Sequence, residues 1–324
     1  MTIDVPDLDV LDTEAALLAL APEWAALHAA TPDATPFQSP GWLLPWWRHF
    51  GTGMPRVAVA RQAGVLSGVL PMYVLDEPGV RKLLPIGAGT TDYLDALGGP
   101  AEALLRAVLA RTREDRVDWC DLIEVPPGSA LRDAAPPGWD AEWGASSPCP
   151  VRMLADPVPP GTLRKLRMNR NRAGRQGGWT IEDATPTTVA PLLDDLIGLH
   201  QARWLAQGEP GALASPPVLA FHREAAPALL QAGLLRLQAL RIGGAVAASC
   251  YALLAGRDRI LFYLSGFDEA HAFVSPGTLL LAEMLERAAQ EGRREAHFLR
   301  GREAYKYAWG GVDRLNSACR FRPA

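Results

Sequence analysis

One stretch, residues 234–267, constrains the fold more than any other part of the chain. Its sequence, LLRLQALRIGGAVAASCYALLAGRDRILFYLSGF, divides into three apolar runs separated by turn signals. Gly243-Gly244 can adopt the positive φ angles of a tight hairpin, and Gly256 begins the second turn. The stretch therefore predicts a three-stranded antiparallel meander. Its last run, 260–264, is continuously apolar and is expected to be buried on both faces.

A helix start follows the meander. SPGT at 275–278 leads into LLLAEMLERAAQ, whose apolar residues recur at helical spacing. The first turn of a helix has free backbone N–H groups, which favour a bound anion. A buried strand followed by such a helix start therefore predicts a site for an anionic ligand at residues 275–278.

The composition excludes several classes of protein. The chain has 324 residues, of which 48% are hydrophobic, and a net charge of −4. These values predict a folded core and do not favour nucleic acid as the main partner. The four cysteines are scattered, and the chain has no apolar run of membrane-spanning length and an acidic start. These features predict a cytoplasmic protein with reduced thiols and no metal site.

The first half of the chain repeats the arrangement of the second. RQAG at 61–64 corresponds to RIGG at 241–244, and a serine-proline pair opens the preceding helix in both halves. Helical patterns also follow both meanders. We interpret this as a duplicated α+β unit, with a boundary at about residue 157 that separates domains 1–157 and 158–324. Each domain is predicted to be a mostly antiparallel sheet flanked by helices.

Two further segments admit alternative interpretations. The run LRKLRMNRNRAGR contains six cations and no acid, which indicates either a solvated helix face or a docking surface for an anionic substrate. Trp42, Trp46 and Trp47 fall on one face of a predicted helix. Core packing is the favoured interpretation of these tryptophans, and a stacking surface for a sugar or a base is the alternative.

Several segments together resemble a known family. They are FQSPGWLLPWWRHFG, LPIGAGTTDYLD, LHQARWLAQG, the SPGTLLLAEMLERA helix and the closing block FLRGREAYKYAWG. In this order they resemble acetyltransferases of the CelD type, which are associated with cellulose and other exopolysaccharide biosynthesis. That group lies within the GNAT superfamily of N-acetyltransferases. The layout is also similar to that of FemAB-type aminoacyl transferases, which carry two GNAT-like domains in one chain.

The resemblance implies a donor and a place for it. GNAT enzymes transfer an acyl group from coenzyme A, and their pyrophosphate site is a helix N-terminus of the kind predicted above. The corresponding residues here are Ser275, Gly277 and Thr278, which would bind acetyl-coenzyme A or another acyl-coenzyme A. This loop departs from the usual glycine-rich pattern, because Pro276 has no N–H and Gly277 is its one glycine.

The closing block supplies candidate catalytic residues. Glu303 could take a proton from an attacking amine, and Tyr305 could return one to the departing thiolate. Lys306 could orient an acidic substrate or stabilise developing negative charge. The alternative for Glu303 and Lys306 is a surface ion pair at the i, i+3 spacing of a helix.

Other residues of the resembling segments are candidates for contact with the acceptor. Asp92 and Tyr93 are expected to face a cleft between the domains, or else to stabilise their own loop. Arg203 and Trp204 lie near a glycine- and proline-containing loop, and packing is the alternative role for Trp204. Arg300 begins the closing block.

Three functions are consistent with these patterns. The first is transfer of an acyl group from coenzyme A to an amine or hydroxyl of a small, sugar-like or envelope-related acceptor. The second is a FemAB-like transfer from aminoacyl-tRNA, in which the basic run would contact RNA phosphate. The third is a catalytically silent module that binds a polysaccharide or a protein.

Overall fold

A computed structural model describes residues 6–206, 208 and 211–324 of the chain, so the first five residues of the acidic start lie outside the described residues. The protein folds as two compact units. The first contains residues 1–148 together with 315–324, and the second contains residues 149–314. The predicted boundary at residue 157 falls inside the second unit, because the chain enters that unit along one long strand.

The elements alternate between strands and helices along the chain. The strands are β1 (Asp7–Leu11), β2 (Met54–Gln62), β3 (Val65–Glu77), β4 (Val80–Pro85), β5 (Leu97–Gly98), β6 (Trp119–Val125), β7 (Trp139–Met153), β8 (Thr180–Asp183), β9 (Leu235–Ile242), β10 (Ala245–Ala255), β11 (Arg259–Phe267), β12 (Glu295–His297) and β13 (Val312–Pro323). The helices are α1 (Glu14–Ala19), α2 (Ala21–Ala30), α3 (Pro40–Phe50), α4 (Ala101–Thr112), α5 (Pro160–Gly174), α6 (Val189–Ala206), α7 (Pro216–Gln231), α8 (Pro276–Gln290) and α9 (Ala304–Ala308).

The first unit is a mostly antiparallel sheet with helices against it. Its strand order is β1-β2-β3-β4-β6-β13, with β5 added to β3, and β4 and β6 run parallel. Helix α4 contributes its apolar face to a core shared with β2, β3 and β6. Trp42, Trp46 and Trp47 are buried in this unit, and the last two contact the ring of Tyr73. The core-packing interpretation of these tryptophans is therefore confirmed.

The second unit has the same design. Its strand order is β7-β12-β11-β10-β9-β8, in which β11 and β12 are parallel and the other pairs are antiparallel. Gly243 and Gly244 have φ angles of 58° and 86°, so the predicted hairpin between β9 and β10 is confirmed. Helices α5 and α8 share one core with these strands. Tyr251 lies between two strand residues of that core and contacts His222 of α7, which places α7 on the opposite face.

The two units confirm the predicted fold class. Each contains an antiparallel meander with a tight turn at the corresponding position, Ala63-Gly64 in the first unit and Gly243-Gly244 in the second. In each unit a helix follows the meander, α4 in the first and α8 in the second. The protein is thus an α+β structure built from two similar units.

Candidate active site

Strand β11 is longer than the strand that pairs with it on one side. It pairs with β12 only as far as Leu261, so residues 262–267 continue without a β12 partner. On its other side, a β-bulge at Tyr263 interrupts the register with β10. A bulge bends a strand and changes the direction of its side chains. The second unit therefore has a gap in its sheet at the end of β11.

A cavity of about 360 Å³ occupies this gap. It lies within the second unit, between the end of β11, the start of α8 and the closing segment. The lining residues are Arg203, Ser249, Cys250, Phe262, Tyr263, Leu264, Ser265, Phe267, Ala272, Ser275, Gly277, Thr278, Leu280, Leu281, Tyr305 and Trp309. A concave, largely apolar site with a few polar groups is the usual form of a small-molecule site.

The start of α8 presents one free N–H group to this cavity. Ser275 caps the helix in a left-handed conformation, with φ of 52°, and Pro276 has no N–H to donate. The N–H of Thr278 donates to the Ser275 carbonyl at 2.9 Å. Within the described part of the chain, the N–H of Gly277 has no acceptor. A free N–H, hydroxyls and the positive end of a helix dipole are groups that attract an anion, and binding of one here stays a prediction.

Space remains around Gly277. A Cβ atom added at this position would lie 3.5 Å from Cδ1 of Phe267, an ordinary van der Waals contact. An alanine therefore fits, whereas a longer side chain would enter the cavity. The predicted ligand-binding residues Ser275, Gly277 and Thr278 do line one cavity.

Tyr305, on α9, also lines the cavity. Its ring packs edge-to-face on Phe298, with 6.1 Å between centroids, and 44% of the residue remains exposed. Desolvation, followed by the nearby carboxylate of Glu303, raises the pKa of Tyr305. The phenol is therefore protonated at neutral pH and can donate a hydrogen bond or a proton into the cavity.

Glu303 and Lys306 form the ion pair that their spacing permits. Lys306 Nζ lies 2.9 Å from Glu303 Oε2, and the Glu303 side chain is 58% exposed. Lys306 is buried and also donates to the carbonyls of Leu299 and Arg300, at 3.1 and 2.5 Å. Neither Glu303 nor Lys306 lines the cavity. Their catalytic roles stay predictions.

Arg203 and Trp204, adjacent in sequence, have different surroundings. Arg203 lines the cavity, and its guanidinium carbon lies 5.1 Å from the ring centroid of Phe267, a cation–π contact. Trp204 Nε1 donates to Nε2 of buried His200 at 3.0 Å, and the ring of Trp204 lies against Gly211. Arg203 can therefore contact a ligand in the cavity, while Trp204 packs beside it.

The remaining predicted substrate residues are not among those that line the cavity. The backbone carbonyl of Arg300 accepts a hydrogen bond from Lys306 Nζ. Asp92 and Tyr93 belong to the first unit, where both are buried and the Asp92 carbonyl accepts from Asn316 Nδ2 at 2.9 Å. Contact of these three residues with an acceptor stays a prediction.

The sequence patterns missed several residues that form the cavity. Phe262 and Leu264 belong to a run that was expected to be buried on both faces, and Phe267 follows that run by three positions. The bulge at Tyr263 leaves no recognisable signal in the run. Trp309 lies in the closing block and was not assigned a role. The sequence did contain an indication of this role, because a tryptophan next to a predicted site often forms part of that site.

The described residues contain neither a cluster suited to a metal ion nor a helix suited to span a membrane. They contain no group of three or more histidine, cysteine, aspartate or glutamate residues arranged to hold a metal ion. None of the described helices combines the length and hydropathy that a bilayer crossing requires.

Comparison with known proteins identifies the class of domain that carries this cavity. Residues 161–307 match the family model described as acetyltransferase (GNAT) domain. All the cavity-lining residues lie within this match, except Trp309, which follows it by two positions. Among curated proteins, none matches the sequence significantly.

Solved structures share the fold over both units. The structure of FemX has a TM-score of 0.66 at 10% identity, over 92% of this chain and 95% of that chain. L-PGS from Bacillus licheniformis has a TM-score of 0.63 at 10% identity, over 92% and 90%. A conserved protein of unknown function from Bacteroides thetaiotaomicron has a TM-score of 0.64 at 13% identity, over 98% and 100%.

These comparisons confirm the broader part of the sequence-based prediction. Residues 161–307 match the GNAT acetyltransferase domain model, and the chain is similar in fold to FemX. At such low identities the solved structures support the fold alone. The CelD-type resemblance and the link to exopolysaccharide biosynthesis stay predictions.

Proposed function

We propose that this protein is an acyltransferase that moves an acyl group from a coenzyme A thioester, acetyl-coenzyme A in the simplest case, to an amine or hydroxyl acceptor. The observation that carries the proposal is the cavity of about 360 Å³ in the second unit. That cavity is lined by a helix N-terminus with a free N–H and by a protonated tyrosine, inside the segment that matches the GNAT domain.

The residues of the cavity fit such a donor. The N–H of Gly277 and the hydroxyls of Ser275 and Thr278 can bind a phosphate oxygen. The apolar wall formed by Phe262 and Leu281 can cover the pantetheine and acyl segments. The bound donor supplies a thioester carbon that is open to a nucleophile.

The transfer needs two proton movements. The acceptor nitrogen or oxygen attacks the thioester carbon, a bond to that carbon forms, and the carbon–sulfur bond breaks. Glu303 is proposed to take the proton that the nucleophile loses, and Tyr305 to donate one to the leaving thiolate. The exposed carboxylate of Glu303 lies close enough to Tyr305 to raise its pKa, so the two groups share one neighbourhood.

Binding of the acceptor is proposed to involve Arg203, at the rim of the cavity. Its guanidinium suits hydroxyl, carboxylate or phosphate groups, which are common on sugars and envelope precursors. The proposed acceptor class, a sugar-like or envelope-related amine or hydroxyl, follows the CelD-type resemblance. Asp92, Tyr93, Trp204 and Arg300 stay candidates for further acceptor contacts.

Two substitutions at one position test the donor site. We expect Gly277→Asp to abolish binding of acetyl-coenzyme A, because a carboxylate at a phosphate site repels the ligand and fills the approach to the N–H. Gly277→Ala is the matched control, since its Cβ makes only an ordinary contact with Phe267. Calorimetric titration should show binding to the wild type and to the alanine variant. Equal affinity of all three proteins would remove this helix start from the site.

The same titration separates the alternative functions. The similarity in fold to FemX and the cations of α5 support the FemAB-like alternative, a transfer from aminoacyl-tRNA. In that case tRNA binds and acetyl-coenzyme A does not. A protein that binds neither donor and instead retains a polysaccharide or protein ligand would be a catalytically silent module.

A further inference from the structure

Helix α5 has a basic outer face. Leu166, Asn169 and Ala173 are buried against the second unit. The exposed residues on the other side include the cations Arg164, Lys165, Arg167, Arg172 and Arg175. Arg170 is different, because it pairs with Glu283 and Glu286 of α8, at 2.9 and 2.6 Å.

The charges of this outer face are not neutralised locally. Among the described residues, Arg164, Lys165, Arg167 and Arg175 have no ion-pair partner, although the protein as a whole carries a net charge of −4. Arg172 donates to the carbonyl of Phe273 at 3.0 Å, a contact that leaves its charge uncompensated. A concentrated positive face on an acidic protein attracts a negatively charged partner.

The same face carries exposed apolar groups. Met168 is 43% exposed and lies one turn from both Arg164 and Arg172 on the helix. Phe273, which is 49% exposed, belongs to the short 3₁₀ helix 269–274 beside α5. Flexible methionines and exposed aromatic rings framed by charge are typical of protein-binding surfaces. We call Arg164, Lys165, Arg167, Met168, Arg172, Arg175 and Phe273 the α5 face.

Each end of α5 contacts a residue that is adjacent in sequence to the cavity lining. Near the start of α5, the Thr162 hydroxyl donates to the carbonyl of Ala308, which precedes the cavity residue Trp309. Near its end, Arg172 holds Phe273, which follows the cavity residue Ala272. The helix has 15 residues and is therefore about 22 Å long. A partner docked on this face would therefore lie next to two segments that contribute to the cavity lining.

The free N–H at the proposed phosphate site is sufficient for a donor with a single phosphate group. Free coenzyme A carries a pyrophosphate and a further ribose phosphate, whereas the first turn of α8 offers one free N–H, from Gly277. A phosphopantetheine arm attached to a carrier protein has one phosphodiester. That arm ends in the same thiol and can therefore present the same acyl thioester.

We propose that the α5 face docks an acidic acyl carrier protein, which delivers its acylated phosphopantetheine arm into the cavity. This inference rests on the proposed acyl transfer and names the carrier of its donor. The cations would attract the acidic surface of the carrier, and Met168 and Phe273 would form the apolar centre of the contact. A nucleic acid is less well matched, because two exposed apolar side chains lie within the face.

The test uses a bacterial acyl carrier protein of the type II fatty-acid system as the probe, without an acyl group. Calorimetry measures its binding to the wild type and to Arg164→Glu/Lys165→Glu/Arg167→Glu. We expect the triple variant to bind at least about tenfold more weakly, since like charges then face each other. Binding to the wild type should also weaken as salt rises from about 0.05 to 0.5 M.

A control carries a single substitution of the same kind, arginine to glutamate, elsewhere in the second unit. Arg257 is exposed in the turn between β10 and β11 and does not belong to the α5 face. Arg257→Glu should bind the carrier as the wild type does. Thermal melts verify that the variants are folded. The affinity of the triple variant for acetyl-coenzyme A should change by less than about twofold, because the α5 face does not form the anion site.

Three results would overturn the proposal. The first is no binding of the carrier to the wild type. The second is an equal loss of carrier and acetyl-coenzyme A affinity in the triple variant, which would mean that the cations hold the phosphates of the free donor. The third is displacement of a bound carrier by unfractionated tRNA with full retention of tRNA, which would assign the face to RNA.

Failure of this inference and failure of the acyltransferase proposal give different results. If acetyl-coenzyme A binds at Gly277 and the carrier does not bind, only the docking inference fails. If the carrier binds through α5 and neither acetyl-coenzyme A nor the acetylated carrier supports transfer, the docking surface stands and the acyltransferase proposal fails.

Discussion

Replacing Lys306 by methionine separates its structural role from its predicted catalytic one. The Lys306 ammonium is buried and holds the turn that precedes α9. It donates to the carbonyls of Leu299, Arg300 and Gly301, at 3.1, 2.5 and 3.4 Å. Leu299 has a φ angle of 59°, which a leucine rarely adopts. The lysine therefore stabilises a strained turn beside the cavity.

The expected loss of stability follows from these contacts. Hydrogen bonds from a charged donor contribute about 1.5–3 kcal/mol each, but methionine also avoids the cost of burying a charge. Water can reach part of the turn and replace some of the hydrogen bonds that Lys306 donates to the carbonyls. We therefore expect Lys306→Met to lower the free energy of unfolding by about 3 kcal/mol, because the carbonyls of the turn lose their charged donor. For a unit of this size, the melting temperature should fall by roughly 6–12 °C.

Thermal and urea unfolding measure this effect, and Lys165→Met is the control. Lys165 is exposed on α5 without an ion-pair partner among the described residues, so its replacement should change stability by less than about 0.5 kcal/mol. Acetyl-coenzyme A titration of Lys306→Met, well below its melting temperature, reports whether the site survives. Unchanged stability together with a loss of turnover would refute the structural argument and assign Lys306 to the substrate.

Three further predictions concern catalysis, packing and pH. Glu303→Gln should lower turnover by roughly 10²–10⁴-fold with little change in donor affinity. The loss of turnover should become smaller as the pH rises, because the acceptor amine then deprotonates unaided. Unchanged turnover would leave Glu303 as a surface ion-pair partner. Gly266→Ala should lower the free energy of unfolding by about 1–3 kcal/mol, because its Cβ would lie 2.8 Å from the backbone of α6. Gly198→Ala, with open space around it, should be neutral or stabilising in the helix. Equal urea midpoints for the two variants would contradict this packing. Desolvation lowers the pKa of His222 to about 3 in the folded protein. Below the pKa of about 6.5 in the unfolded chain, the unfolded chain therefore binds more protons than the folded one, and the free energy of unfolding decreases as the pH decreases. The urea midpoint of His222→Gln should therefore drop less than that of the wild type between about pH 7 and pH 5, and identical drops would place the acid sensitivity elsewhere.

The sequence predicts those parts of the fold that local chemistry determines. Gly243-Gly244 forms the expected hairpin, because only glycine adopts both positive φ angles at low cost. The tryptophans at 42, 46 and 47 are buried because their spacing places them on one helix face. Ser275-Pro276 starts α8, as the preference for proline in the first helical turn indicates.

Other features depend on contacts between distant segments, and local patterns do not reveal them. Lys306 follows a polar stretch, and this pattern predicts a surface residue. Its burial is possible because three carbonyls of the preceding turn accept hydrogen bonds from its ammonium group. The bulge at Tyr263 depends on the register between two strands. The gap at the end of β11 exists because β12 is short, and strand length is set by neighbouring strands as much as by the strand's own residues.

The division of the chain between the two units has a consequence for synthesis on the ribosome. The first unit is completed by residues 315–324, where Phe321 enters its core and β13 pairs with β6. These residues are translated after all of the second unit. Domains usually fold in the order in which they emerge. Here the nascent chain holds an unfinished first sheet, with the edge of β6 open, until the whole acyltransferase-like unit has been made.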